Sequence, residues 1–99
     1  MRNLEKVKQL APDLRQTEPR ATHEELGGEP HAARTLDKAR ATLAGVNGEY
    51  RFGCPMDQHF FEETGIDMRE FEDLVATGAS DAEVGDWIRE HVSAKRRVP

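Results

Sequence analysis

The side chains able to do chemistry crowd into residues 48–61, GEYRFGCPMDQHFF. That stretch holds the only Cys and the only Tyr of the chain. Tyr50 and Phe52 alternate with Arg51, which suits a short extended piece with one apolar face. Gly53 breaks it, and Pro55 opens a helix, since proline has a helical φ and lacks an N–H that a first turn cannot use. Cys54 then falls at the N-cap and Asp57 in the first turn, where a carboxylate complements the positive helix end. The free N–H groups there suit an anion, and a thiol there can be unusually acidic. On this reading Cys54 is a nucleophile or proton donor. Asp57 or His59 is the general acid or base. The plainer reading carries more weight: free Cys is among the most buried residue types, and Asp57 is then only a capping acid.

The elements that must position these groups are helical. Leu4, Val7 and Leu10 recur at i, i+3, i+6 and predict a short first helix ended by Pro12, too short to hold without tertiary support. Residues 11–28 are poor in apolar side chains and read as an extended or looped arm over the body. Within it, Gly27-Gly28 marks a tight turn or a close backbone approach. Residues 30–44 read as a helix with Pro30 at its first position and Gly45 beyond its end. One stripe carries Leu36, Ala39, Arg40 and Leu43, the next Arg34, Asp37, Lys38 and Ala41. The polar stripe is either a solvated face worth a few tenths of a kcal/mol per pair, or it points Arg34 and Asp37 at Cys54; periodicity does not choose. Asn47-Gly48 is a turn dipeptide leading to at most a small hairpin. Residues 55–63 form a helix with Met56, Phe60 and Phe61 or Ile66 as its apolar side. Asp67 with Glu70, and Ser80 with Glu83, have capping-box spacing. Each opens a helix, one with Phe71, Leu74 and Val75 inward, the other with Val84, Trp87, Ile88 and Val92. Together they read as an αα-hairpin.

The fold class that follows is all-α: four to five short helices, an N-terminal extended arm and at most a minimal β-hairpin. Residues 1–28 form the helix and arm, 29–94 the helical domain, and 95–99 a basic frayed tail. Ninety-nine residues make one domain with a modest core. A single Cys allows no internal disulfide and suits a reducing cytoplasm. No apolar run is long enough to cross a membrane, and no signal peptide is evident. The net charge of −5 is uneven: residues 49–91 carry twelve acidic against three basic side chains. Phosphate contacts need clustered Lys and Arg, so nucleic acid is not an expected partner. His23, His31, His59 and His91 show no ligand spacing. A metal site from His23, His31, Asp57 and His59 is open in three dimensions, but nothing in the spacing asks for one. No cofactor signature is present, and no metal or cofactor is expected.

Several stretches together resemble a small bacterial family, domain of unknown function 5069. They are LGG (26–28), LDKARATLAG (36–45), GEY (48–50), CPMDQ (54–58), FFEETGID (60–67) and VATGASDAEVGDW (75–87). The likeness spans about residues 26–88. It implies a fold relationship, and that Arg34, Asp37, Lys38, Arg40, Tyr50, Cys54, Asp57 and Gln58 belong to the family pattern. This chain departs from that pattern at Glu29-Pro30-His31-Ala32-Ala33, where an aromatic or apolar run is expected. The change should alter the wall of any pocket beside the long helix.

The functional expectation is a site at the start of the 55–63 helix that binds a small anionic molecule, and transforms it if isomerase- or lyase-type acid–base chemistry operates there. Cys54, Asp57 and His59 are the candidate catalytic groups; Arg34, Asp37, Arg40, Tyr50 and Gln58 are the candidate ligand contacts. The alternative is a non-catalytic interaction module or homodimer in which the same polar groups are a structural network.

Overall fold

The computed structural model describes residues 2–97, with the backbone alone for 93–97. Five helices run through them: α1 (Leu4–Leu10), α2 (Ala32–Ala44), α3 (Pro55–Thr64), α4 (Met68–Ala76) and α5 (Asp81–Arg97). The chain is all-α, and its one β-type pairing among the described residues is an isolated bridge between Leu26 and Glu29.

The local chemistry sets most boundaries. Asn3 caps α1, its Oδ1 accepting from Lys6 N–H at 3.2 Å. Asp67 caps α4 by accepting from Glu70 N–H at 3.0 Å. Ser80 and Glu83 close a reciprocal capping box at the start of α5, at 2.9 and 3.1 Å. Gly45 and Gly65 end α2 and α3 in the left-handed conformation that glycine adopts without strain.

Three expectations need correcting. Pro30 is not the first residue of α2: the helix starts at Ala32, with His31 at its N-cap in a left-handed conformation, φ 71°. The turn before it explains this. Leu26 and Glu29 exchange two backbone hydrogen bonds, and Gly27 and Gly28 both have positive φ between them, as a tight two-residue hairpin turn requires. His31 N–H then bonds Thr22 carbonyl at 2.7 Å, which pulls the chain off the helical path until Ala32. The small hairpin feature therefore lies at Gly27-Gly28. The 50–52 piece turns without pairing, closed by Tyr50 N–H to Asn47 carbonyl at 2.9 Å. Third, Met56 is 58% exposed and not part of the core. In α1 only Val7 is buried, because in so short a helix Leu4 and Leu10 project roughly 60° to either side of it. Of the basic tail expected to fray at 95–99, residues 95–97 have helical backbone, while its side chains and residues 98–99 lie outside the described residues.

The core gathers around α2, which packs on α1 and on α4. Leu36 of α2 meets Phe60 and Phe61 of α3, Phe71 and Val75 of α4, and Val84, Ile88 and Val92 of α5 in one cluster. Phe71 is fully buried, its ring 5.4 Å from Phe61, 6.2 Å from Trp87 and 6.3 Å from Phe52. The Gly27 turn lies directly on α5. A Cβ at Gly27 would fall 2.5 Å from Gly85 carbonyl oxygen and 2.9 Å from Ile88 Cβ, so backbone touches backbone there.

Phe71→Ala removes a ring contacting three others and is expected to cost about 3–5 kcal/mol, read as a fall in the urea midpoint with unchanged slope.

Candidate functional site

Helix α2 is buried on nearly every side, although it carries Asp37, Lys38 and Arg40. A buried charge persists only when paired and hydrogen-bonded, and each of the three has found a partner. They go to two different places.

The first place is Asp57, in the first turn of α3 and 0% exposed. His31, Thr35 and Lys38 lie at i, i+4 and i+7 on α2, so they share one face, and that face meets the Asp57 carboxylate. Oδ1 faces His31 Nε2 at 2.9 Å and Thr35 Oγ1 at 3.2 Å. The Thr35 hydroxyl has one proton, and its shorter contact, 2.9 Å, is to His31 carbonyl. Oδ2 accepts from Lys38 Nζ at 2.9 Å and from Gly53 N–H at 3.0 Å. Burial pushes the Asp57 carboxyl up, but Lys38, His31 and the Gly53 amide outweigh it and hold it below the ordinary carboxylate value. Lys38 also donates to Cys54 Sγ at 3.1 Å. Burial pushes the Cys54 thiol up as well. The Asp57 amide, directed at the sulfur without closing a capping hydrogen bond, and Lys38 reverse this and leave the thiol more acidic than usual.

The second place is at Asp81, the first residue of α5. Arg20 of the arm donates to Asp37 through Nε and Nη2, its own N–H adds a bond at 2.8 Å, and its Nη1 reaches Asp81 at 2.8 Å. Arg40 donates to Asp81 at 2.8 Å and to Ala79 carbonyl at 2.9 Å. This network ties arm, α2 and α5 together.

Arg34 and Asp37 therefore do not point at Cys54. Asp37 faces Arg20, and Arg34 donates to Arg20 carbonyl at 3.3 Å with its guanidinium 5.7 Å from the centre of the Tyr50 ring. Lys38, one residue along and about 100° around the helix, is the cation beside the thiol. Arg40 lies in the second network. Gln58 is exposed and donates to Gly53 carbonyl at 2.8 Å, bracing the loop that presents the Gly53 amide. His59 points outward beside Glu63 at 3.1 Å, its side chain 70% exposed. Among the sequence candidates, Cys54 and Asp57 come together. His31, set beside Asp57 in the sequence only as a possible metal ligand, and Lys38, named only in the polar stripe and the family pattern, join them, as do Thr35 and the Gly53 amide, which the sequence did not single out. Their signal was present, a polar stripe at i, i+4, i+7, but α2 also carries Arg34, Asp37, Arg40 and Thr42, so that stripe did not stand out from its neighbours.

Two hollows flank this cluster and share Pro55. The larger, about 420 Å³, lies between the 22–31 segment and α3. His31, Met56, Phe60 and Thr64 line it, with Glu29, His59 and Glu63 also at its surface. Glu29, Pro30 and His31, the first three residues of the 29–33 stretch expected to depart from the family pattern, form one wall. The smaller, about 260 Å³, is lined by Arg51, Phe52, Gly53, Cys54 and Pro55. Among the described residues no buried side-chain nitrogen or oxygen lacks a hydrogen-bond partner. Nor do three or more His, Cys, Asp or Glu side chains gather there as metal ligands would. No helix among them is long and apolar enough to cross a membrane.

A family model described as Domain of unknown function (DUF5069) matches residues 16–98, and the chain belongs to that family. None of the curated proteins compared with it matches.

Asp57→Asn keeps the shape but leaves Lys38 buried without its counter-charge, and should cost about 3–5 kcal/mol at neutral pH. Because folding lowers the Asp57 carboxyl, its stabilisation is complete above the unfolded carboxylate value, about 3.9, and disappears as pH drops through the folded value. Urea midpoints of parent and variant should accordingly converge between pH 7 and pH 2. In a second test, iodoacetamide should alkylate Cys54 with a pH midpoint below that of free cysteine, moving upward in Lys38→Met.

Proposed function

We propose that the larger hollow binds a small, largely apolar molecule bearing a carbonyl or similar polar end, and that His31 acts on it as a general base. The observation that carries this is the Asp57–His31 contact. A buried, ionised carboxylate accepting from Nε2–H fixes the other ring nitrogen, Nδ1, as the basic one. Nδ1 has no hydrogen-bond partner among the described residues, and the His31 side chain lines the hollow. An acid–base reaction of the isomerase or lyase kind needs such a group more than it needs a cofactor. His31 thus takes the role that the sequence offered to His59.

The surroundings favour a neutral ligand over an anionic one. The start of α3 lines the hollow and would attract an anion. Yet Lys38 is already matched by Asp57, and the lining that remains, Met56, Phe60 and Pro55 among it, is largely apolar. Cys54 opens on the other side of Pro55, so in this reading it tunes the cluster and does not touch the ligand.

A second reading has its own support. Complete satisfaction of the buried polar atoms is what a purely structural network also requires. Amide shifts recorded during titration with small ketones, carboxylates and amines separate the two. Ketones are expected to move Thr22, Met56, Phe60 and Thr64, and to exchange their α-protons in deuterated water at a rate that His31→Gln abolishes. No shift at those amides with any of the three, or exchange indifferent to His31→Gln in a folded variant, leaves the structural reading standing.

A further inference from the structure

Lys38 and Cys54 come from different segments and meet side by side, Nζ 3.1 Å from Sγ. The Lys38 side chain is 5% exposed and pinned from behind by Asp57 at 2.9 Å, so the nitrogen stays against the sulfur. The sulfur is half-buried and reached from the smaller hollow, which has room for a molecule the size of hydrogen peroxide. The chain has no second Cys to capture an oxidised Cys54 as an internal disulfide. A sulfenic acid formed there has an amine nitrogen in contact with it, and sulfenic acids condense with nitrogen as well as with thiols.

We propose that Lys38 and Cys54 are the two halves of a peroxide-dependent covalent cross-link, a sulfenamide joining Sγ to Nζ. The Cys54 thiolate attacks one peroxide oxygen; an S–O bond forms, the O–O bond breaks, and hydroxide leaves. Hydroxide takes one proton from the Lys38 ammonium and becomes water. The amine so freed attacks sulfur; the N–S bond forms, the S–O bond breaks, and the departing hydroxyl leaves as a second water with another Nζ proton. Sulfur loses two electrons and peroxide gains them: thiolate, ammonium and peroxide give the sulfenamide and two waters. Added thiol reverses it by attacking sulfur and releasing the amine. This inference stands apart from the reading of the larger hollow and needs no ligand there. Its cost falls on Asp57, which loses its cation, so the cross-linked protein should melt at a lower temperature until it is reduced.

The test is a non-reducing tryptic map of the full chain after hydrogen peroxide. The expected product is a peptide in which the segments bearing Lys38 and Cys54 are joined, lighter by two hydrogens than the sum of the separate segments. Cleavage after Lys38 should be lost and should return with dithiothreitol. Lys38→Arg, which keeps the charge, should give sulfinic acid at Cys54 and no bridge. Should that variant not fold, the map of the parent protein decides alone. Sulfinic or sulfonic acid, an intermolecular disulfide, or a bridge that retains oxygen, each with the native chain, overturns the proposal.

Discussion

An ionised carboxylate removed from water costs several kcal/mol unless its charge is met and its lone pairs are filled. Asp57 is such a group, and meeting its demand organises the middle of the molecule. It needs a cation, so Lys38 is buried on α2. It needs further donors, so the 50–53 loop is bent to deliver the Gly53 amide, and His31 is held in an uncommon backbone conformation at the N-cap of the same helix. Histidine is among the few non-glycine residues that visit that region readily. The apolar core then packs beneath these groups, with Leu36 and Ala39 on the adjoining face of α2.

How much of this the chain announces varies with the range of the interaction. Cys54 at the N-cap and Asp57 in the first turn follow from Pro55 alone, because a proline start is a local rule. The helix caps at Asp67 and Ser80 are local too: Ser80 closes the reciprocal box with Glu83, and Asp67 forms the half in which its carboxylate accepts from Glu70 N–H. The outward direction of His59 was also within reach: two residues on in a helix lie about 200° around, so an inward Asp57 sends His59 to solvent. What periodicity does not carry is the identity of what faces a stripe. Asp37 and Lys38 are neighbours in sequence, yet one meets Arg20 on the arm and the other meets Asp57 on α3. Those partners lie seventeen and nineteen residues away in opposite directions along the chain. The arm carries the missing information, since its course over α2 is set by Leu14, Arg20 and the Gly27-Gly28 turn together.

The two ion clusters do different physical work. The Arg20–Asp37–Asp81–Arg40 network lies partly in solvent at Asp81 and joins three segments, so it fixes where the arm and the last helix sit relative to α2. The Asp57 cluster is sealed at its centre and opens only at its ends, at His31 on one side and Cys54 on the other. The carboxylate at the centre is fully engaged, while the Lys38 ammonium faces two ways, to Asp57 at 2.9 Å and to the Cys54 sulfur at 3.1 Å.

The seam between Gly27 and Gly85 has a consequence for how far the rest of the chain can vary. Two stretches of main chain lie flush there, with no side chain between them to yield. A methyl at Gly27 would meet the Gly85 carbonyl oxygen at 2.5 Å and lift the 22–31 segment away from the last helix, whereas one at Gly85 would be accommodated. His31 rides at the end of that segment, so the imidazole would move with it. The contact between the His31 imidazole and Asp57 thus depends on Gly27 having no side chain.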